Sequence, residues 1–140
     1  MVIRCFSLIL LLLITSFIQP KPENLSAEEQ KLVKAINQYR KSIGLKEIAY
    51  SYSLTLVAQM HAADLRDYPP KEGCNMHSWS EHGKWIPCCY TADHKQAGCM
   101  WLKPKEVAEY EGHGYEISAM NTAPDADWLA QWKKARPTIR

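Results

Sequence analysis

Hydrophobic residues recur every three or four positions near the start of the chain, which is the pattern of an amphipathic helix. The pattern begins after Ser26, which is spaced with Glu29 as a capping box that satisfies two backbone N–H groups. Gly44 follows the last hydrophobic position and is expected to end the helix in a left-handed conformation. The hydrophobic positions of this first helix are Leu32, Val33, Ile36, Tyr39 and Ile43.

A second helix is predicted to start near Ser51 or Ser53 and to run to about Asp67, because the pair Pro69–Pro70 then stops it. His61 lies on the hydrophobic face of this helix. A packed, hydrogen-bonded core histidine is the expected role at such a position.

The remainder of the chain has weaker patterns. Residues 71–103 lack periodicity and are predicted to form a long irregular segment, which a compact domain tolerates when it is cross-linked or functional. Three elements are then predicted: a short helix from Pro104 to Tyr110 that Gly112 ends, a strand over Tyr115–Met120, and a last helix capped by Asp125 or Asp127 that carries Trp128, Leu129 and Trp132.

The composition indicates one compact domain and excludes a nucleic-acid partner. The chain has 140 residues, and two separate cores would each fall near the lower limit for stable folding. Its 17 basic residues nearly balance its 15 acidic residues, so no net field attracts nucleic acid or anionic lipid.

The N-terminus has the layout of a secretory signal peptide, predicted over residues 1–19. Arg4 precedes a hydrophobic stretch, Cys5–Ile18, that is shorter than the ~20 residues of a membrane-spanning helix, so no stable membrane span is expected. An uncleaved anchor stays open as the alternative, because no Ala-x-Ala cleavage site is present. Residues 20–25 form a linker and residues 26–140 the domain, which is expected to be secreted and extracellular (periplasmic if bacterial).

Four cysteines remain after the signal peptide, and an even number outside the cytosol favours disulfides. They are Cys74, Cys88, Cys89 and Cys99. A bridge between the neighbours Cys88 and Cys89 needs a strained ring, which leaves two pairings open, each joining both outer cysteines to the central pair. The alternative is a metal site of these thiolates and nearby histidines, which their spacing does not favour.

Candidate chemistry is confined to histidines and carboxylates. No Gly-x-Ser-x-Gly, phosphate-binding glycine loop or His-Glu-x-x-His is present. His77 follows Cys74 closely, so a disulfide would fix its imidazole, and it is the best candidate site residue from the residues alone.

Several short motifs occur in an order that resembles a known family. They are Asn37-x-x-Arg40, Gly44-Leu45, Ala58-x-x-His61-Ala62-x-Asp64-Leu65, His77-Ser78, Gly114-Tyr115-Glu116-Ile117, and the pair Trp128 and Trp132. This series resembles the CAP superfamily of cysteine-rich secretory proteins, antigen 5 and pathogenesis-related 1 proteins, also called the SCP domain. The resemblance extends over roughly residues 27 to 132.

The resemblance implies an α+β fold, an α-β-α sandwich with a small antiparallel sheet that is incomplete at the C-terminus. It also implies a cavity of two histidines and two glutamates that in several members binds a divalent metal. His77 would be the first histidine and Glu116 the first glutamate, and these two would be the cavity, binding and metal residues. Thr138 stands where the family has its second histidine, and Asp127 is the acid nearest the second glutamate position. The chain is therefore expected to be a truncated or decayed member.

With two of the four cavity groups missing, the resemblance implies a secreted CAP-domain protein that acts by binding, with no catalytic residues. The implied partner is a lipid, a sterol or a cell-surface component, and the implied cofactor is at most a weakly bound divalent metal such as zinc. Two alternatives stay open: a metal-dependent hydrolase that uses the cavity, and a purely structural disulfide module. The hydrolase is disfavoured because a catalytic zinc takes three protein ligands.

Overall fold

Four helices make up the regular structure of the described chain. The structure is a computed structural model that describes residues 25–120 and 127–135. The helices are α1 (Ala27–Ser42), α2 (Tyr52–Asp67), α3 (Ala97–Ala108) and α4 (Trp128–Ala135). The predicted signal peptide at residues 1–19 and most of the predicted linker lie outside the described residues.

The predicted limits of α1 are confirmed by its end groups. The Ser26 hydroxyl accepts a hydrogen bond from the Glu29 N–H at 3.2 Å, and the Glu29 carboxylate accepts one from the Ser26 N–H at 2.6 Å. Gly44 lies just beyond the helix with a φ of +77°, a conformation that favours glycine. The capping residues were therefore sufficient to locate both ends of this helix.

Helix α2 also has the predicted limits, and its buried face is partly polar. Ser51 caps its N-terminus by accepting from the Leu54 N–H, and the helix ends at Asp67 ahead of the two prolines. His61 and Asp64 are buried on this helix together with Leu65. Buried polar side chains require hydrogen-bond partners, so this face of α2 is specified by contacts from elsewhere in the chain.

The prediction for α3 was wrong at both ends. The helix begins at Ala97, inside the segment predicted to be irregular, and Pro104 lies in its interior rather than at its start. It ends at Ala108, with Glu109 in the left-handed conformation at a φ of +52°, before Gly112 is reached. The cause is tertiary, because contacts of Lys103 and the Cys88–Cys99 bridge hold the turns before Pro104 against the rest of the domain.

Lys103 is the main such contact, and it is buried on the inner side of α3. Its ammonium group donates to the Ile86 carbonyl at 2.5 Å and to the Glu106 carboxylate at 2.6 Å. Glu106 in turn accepts a hydrogen bond from the Ile86 N–H. The ammonium group also lies 5.5 Å from the centre of the Trp79 ring. These bonds clamp the loop before α3 onto the helix.

Tyr115–Met120 has no β-pairing within the described residues, so the predicted strand is not confirmed. Its side chains alternate as in a strand, with Tyr115 82% exposed and Ile117 50% exposed on either side of the half-buried Glu116. The described residues place no second strand beside it, and their β-pairing is limited to one isolated antiparallel bridge between Trp79 and Cys88. The antiparallel sheet expected from the family resemblance is therefore not seen in the described residues.

The described part of the domain has a small core. Helix α2 packs against α3, and α1 packs against α4, where Lys133 lies 4.0 Å from the centre of the Tyr39 ring. The buried hydrophobic residues are Leu56, Leu65, Trp79 and Tyr90. Asp127 caps α4 by accepting from the Ala130 N–H, whereas Asp125 lies outside the described residues.

Two disulfides cross-link the irregular segment between α2 and α3. Cys74 pairs with Cys89 and Cys88 pairs with Cys99, which is one of the two pairings that the sequence left open. The first bridge is reinforced by a hydrogen bond from the Asn75 N–H to the Tyr90 carbonyl at 2.8 Å. No helix in the part of the chain that the structure describes is long and hydrophobic enough to cross a membrane.

Candidate functional site

The two residues predicted to line the cavity meet in the structure. The Nδ1 atom of His77 lies 2.8 Å from Oε2 of Glu116, although the residues are 39 positions apart. His77 is held in the cross-linked loop, where its N–H donates to the side chain of Asn75 at 3.0 Å. Its imidazole also packs edge-on against the ring of Tyr90, with 5.2 Å between the ring centres.

Glu116 reaches this position because Gly114 approaches α3 closely. The Gly114 N–H donates to the Trp101 carbonyl at 2.9 Å, which places the chain directly over the helix. A Cβ atom at this glycine would lie 2.6 Å from the Pro104 ring and 2.7 Å from the Met100 carbonyl oxygen. No larger residue fits there without displacing the backbone, so the absence of a side chain at Gly114 positions Glu116.

His61, assigned from the sequence to the core alone, is the third member of this site. It is 3% exposed, and its Nδ1 atom lies 2.5 Å from Oε1 of Glu116. Its Nε2 atom lies 2.9 Å from the Ser78 carbonyl oxygen, and its ring stacks on Trp79 with 4.3 Å between the centres. The predicted burial and hydrogen bonding are confirmed, but the contact with Glu116 was not predicted.

The hydrogen bonds of His61 define where its protons lie. The Ser78 carbonyl only accepts, so Nε2 carries a proton, and Nδ1 must then share a proton with the Glu116 carboxylate. Burial lowers the pKa of His61, but the hydrogen bond and charge of Glu116 outweigh burial and raise it overall. Burial likewise raises the pKa of Glu116, but hydrogen bonds and charges from His61 and His77 outweigh it and lower the pKa overall. A buried imidazolium–carboxylate pair is the result.

Asp64 fixes the loop that carries the Ser78 carbonyl. Its buried carboxylate accepts from the Ser80 N–H at 2.8 Å and from the Ser80 hydroxyl at 2.5 Å. The Ser78 hydroxyl accepts in turn from the Tyr90 N–H at 2.8 Å. Helix α2 therefore positions both sides of the site, because His61 bonds to Glu116 and Asp64 holds the loop that carries the Ser78 carbonyl.

A groove of about 1070 Å³ opens beside Glu116 and His61, at the upper end of the range for small-molecule sites. It lies between the four helices and the segment that carries Glu116. Its walls are mainly hydrophobic and include Leu32, Leu54, Val57, Ile117 and Trp128, and they also carry Arg40, Lys103 and His113. His77 contacts Glu116 from the other side and does not line the groove.

These residues do not fit the metal site that the family resemblance implies. Both Glu116 oxygens face imidazole nitrogens, and both His61 nitrogens face acceptors, which leaves Nε2 of His77 as the nitrogen open to a metal. The described residues contain no group of three or more His, Cys, Asp or Glu side chains that could hold a metal ion. Thr138, at the position of the missing second histidine, lies outside the described residues.

The spacing of His61 and Asp64 is a sequence signal that could have indicated polar contacts for His61. His61 and Asp64 are three positions apart, so they share one face of α2 with the buried Leu65. Two polar side chains on an inward face must find partners, and such partners belong to loops that pack on the helix. The spacing did not indicate which loops these are.

Comparison with protein families identifies the family of the chain. The family model for CAP, the cysteine-rich secretory protein family, matches residues 33–138, a range that includes His61, His77 and Glu116. The protein therefore belongs to the cysteine-rich secretory protein (CAP) family, and family membership implies the CAP fold. Neither a curated protein nor a solved structure matches the chain significantly.

Proposed function

We propose that this protein is a secreted CAP-domain protein that binds an amphiphilic ligand, of the lipid or sterol class, in the groove beside Glu116. The observation that carries the proposal is a groove whose mainly hydrophobic walls also present the polar pair of Glu116 and His61. The two disulfides support a location outside the cytosol, extracellular or periplasmic, because such bridges persist in oxidising compartments.

The polar pair of Glu116 and His61 favours a ligand with a hydroxyl group. A carboxylate has about four acceptor positions, and the two imidazoles use one on each oxygen of Glu116. A hydroxyl donor can bond to an acceptor position that remains on Glu116. The rest of such a ligand gains free energy by removing its hydrophobic surface from water.

The alternatives predict different behaviour. A metal-dependent hydrolase needs ligands that the described residues do not supply, because two imidazole–carboxylate hydrogen bonds occupy the facing atoms. A purely structural disulfide module would fold cooperatively and bind no amphiphile. A ligand titration therefore separates the binding proposal from both alternatives.

The test is a titration of the mature, oxidised protein with the fluorescent sterol dehydroergosterol, with 1-dodecanol as competitor. Leu54→Asp places a charge in the groove wall, and Ile86→Asp places the same charge on an exposed side chain that does not line the groove. We expect saturable binding that weakens at least about tenfold in Leu54→Asp and is unchanged in Ile86→Asp. Absence of binding, or equal binding by the two variants, would overturn the proposal.

A further inference from the structure

A buried histidine, His61, and a partly exposed histidine, His77, contact the same carboxylate, that of Glu116. His61 is 3% exposed on α2, while the side chain of His77 is 24% exposed, and both direct Nδ1 at Glu116. We propose that His61 is a positioning residue of this site, which holds the Glu116 carboxylate where it orients His77. The inference rests on the proposed function, because it assumes that Glu116 belongs to the ligand site.

Glu116 needs such support because its own segment supplies little. The backbone of residues 115–120 forms no hydrogen bond with the rest of the described chain. The nearest anchors are the Gly114 N–H bond to Trp101 and a side-chain bond from Ser118 to the Met76 carbonyl at 3.3 Å. A glutamate side chain on such a segment loses considerable rotamer entropy when it is fixed in one position.

His61, in contrast, is fixed on three sides. Its backbone belongs to the middle of α2, its ring stacks on Trp79 at an interplanar angle of 7°, and Nε2 bonds to the Ser78 carbonyl. The remaining nitrogen, Nδ1, therefore points in one direction, toward Oε1 of Glu116. The imidazole ring of His61 therefore restrains the Glu116 carboxylate relative to α2.

Fixing one oxygen of the carboxylate also fixes the other. Oε1 bonds to His61, so the plane of the carboxylate is set and Oε2 is aimed at Nδ1 of His77. An acceptor at that position selects the tautomer of neutral His77 in which Nδ1 carries the proton and Nε2 a lone pair. Among the described residues, Nε2 of His77 has no protein partner, so this atom stays an unpaired acceptor in that tautomer.

Two substitutions separate positioning from packing, because each keeps one of the two ring donors. In His61→Asn the amide nitrogen lies near the position of Nδ1 and can still donate to Glu116. In His61→Gln the amide nitrogen lies near the position of Nε2 and can still donate to Ser78, but the bond to Glu116 is lost. Both variants lose the stacking on Trp79, so they are matched controls for one another.

The readout is the tautomer of His77, measured by nitrogen-15 NMR of its ring in the mature, oxidised protein. We expect the form with the proton on Nδ1 to dominate in the unsubstituted protein and in His61→Asn, and to fall several-fold in His61→Gln. An unchanged tautomer in His61→Gln would overturn the inference. Equal loss in both variants would also overturn it, since it would assign the effect to the packing on Trp79.

A measurement on the unsubstituted protein keeps the inference testable if both variants fail to fold. The Nδ1 proton of His61 should give a downfield signal that is protected from exchange with water, because His61 is buried and shares this proton with the Glu116 carboxylate. A rapidly exchanging Nδ1 proton would contradict the inference.

The dehydroergosterol titration distinguishes this inference from the proposed function. If both hold, affinity falls several-fold in His61→Gln and less in His61→Asn, because Glu116 is then no longer held in place beside the groove. If the unsubstituted protein binds no amphiphile but the tautomer of His77 changes as expected, the positioning role stands and the proposed ligand is wrong. If binding occurs and the tautomer does not change, the positioning role is wrong.

Discussion

Removal of the Cys74–Cys89 disulfide should lower the free energy of unfolding by about 3 kcal/mol. The bridge joins residues 15 positions apart, and in the chain-entropy model a closed loop of that length restricts the unfolded chain by about 3 kcal/mol at room temperature. The variant replaces both cysteines by alanine, so that no free thiol remains to exchange with the other bridge. Domains of this size are stable by only about 5–15 kcal/mol, so the loss is large.

The Cys88–Cys99 bridge provides the matched control. It joins residues 11 positions apart, and the same relation gives a loss slightly below 3 kcal/mol when both cysteines are replaced. The two double variants should therefore lose similar stability and differ in the site. Cys74 lies three residues before His77, so the first variant alone should disturb the contact between His77 and Glu116.

The assay is urea unfolding of the mature, oxidised protein, followed by tryptophan fluorescence. Thiol titration of the denatured protein should first show that no free thiol is present, because all four cysteines are paired. Two or more reactive thiols per chain would refute the disulfide assignment. A loss below about 1 kcal/mol in the Cys74 and Cys89 double variant would show that the bridge does little to restrict the unfolded chain.

Three further predictions concern the site. Asp64→Ala should cost about 3 kcal/mol in chemical denaturation, because the N–H and hydroxyl of Ser80 lose a buried charged acceptor, whereas Asp64→Asn should cost less. The stability contributed by this pair should be highest between pH 4.5 and pH 6.5, the ordinary pKa values of a glutamate and a histidine, and should decline on either side toward the shifted pKa values of the folded protein. It should fall in acid as Glu116 is protonated and in alkali as His61 loses its proton, and denaturation of His61→Leu should lack the alkaline fall. Calorimetry should show zinc binding no tighter than micromolar, about −8 kcal/mol, with His77→Ala as the control. Nanomolar binding that this substitution abolishes would indicate a complete metal cavity.

Local sequence signals were sufficient to locate the first two helices and their ends. The capping box at Ser26 and Glu29, the cap at Ser51 and the left-handed Gly44 act over three or four residues, so their effect is visible in the local pattern. The family motifs also pointed to His77 and Glu116, although not to how their atoms would meet. Local hydrogen bonding explains why the limits of the two helices could be predicted.

Tertiary structure alone decided the start of α3, the pairing of the cysteines and the partner of His61. Helix α3 begins before Pro104 because Lys103 and the bridge to Cys99 hold its first turns against a distant loop. His61 and Glu116 are 55 positions apart, and their contact exists because Gly114 lets one segment lie close to α3 while Trp79 fixes the imidazole on α2. Such contacts depend on which surfaces pack together, and periodicity along the chain carries no record of that packing.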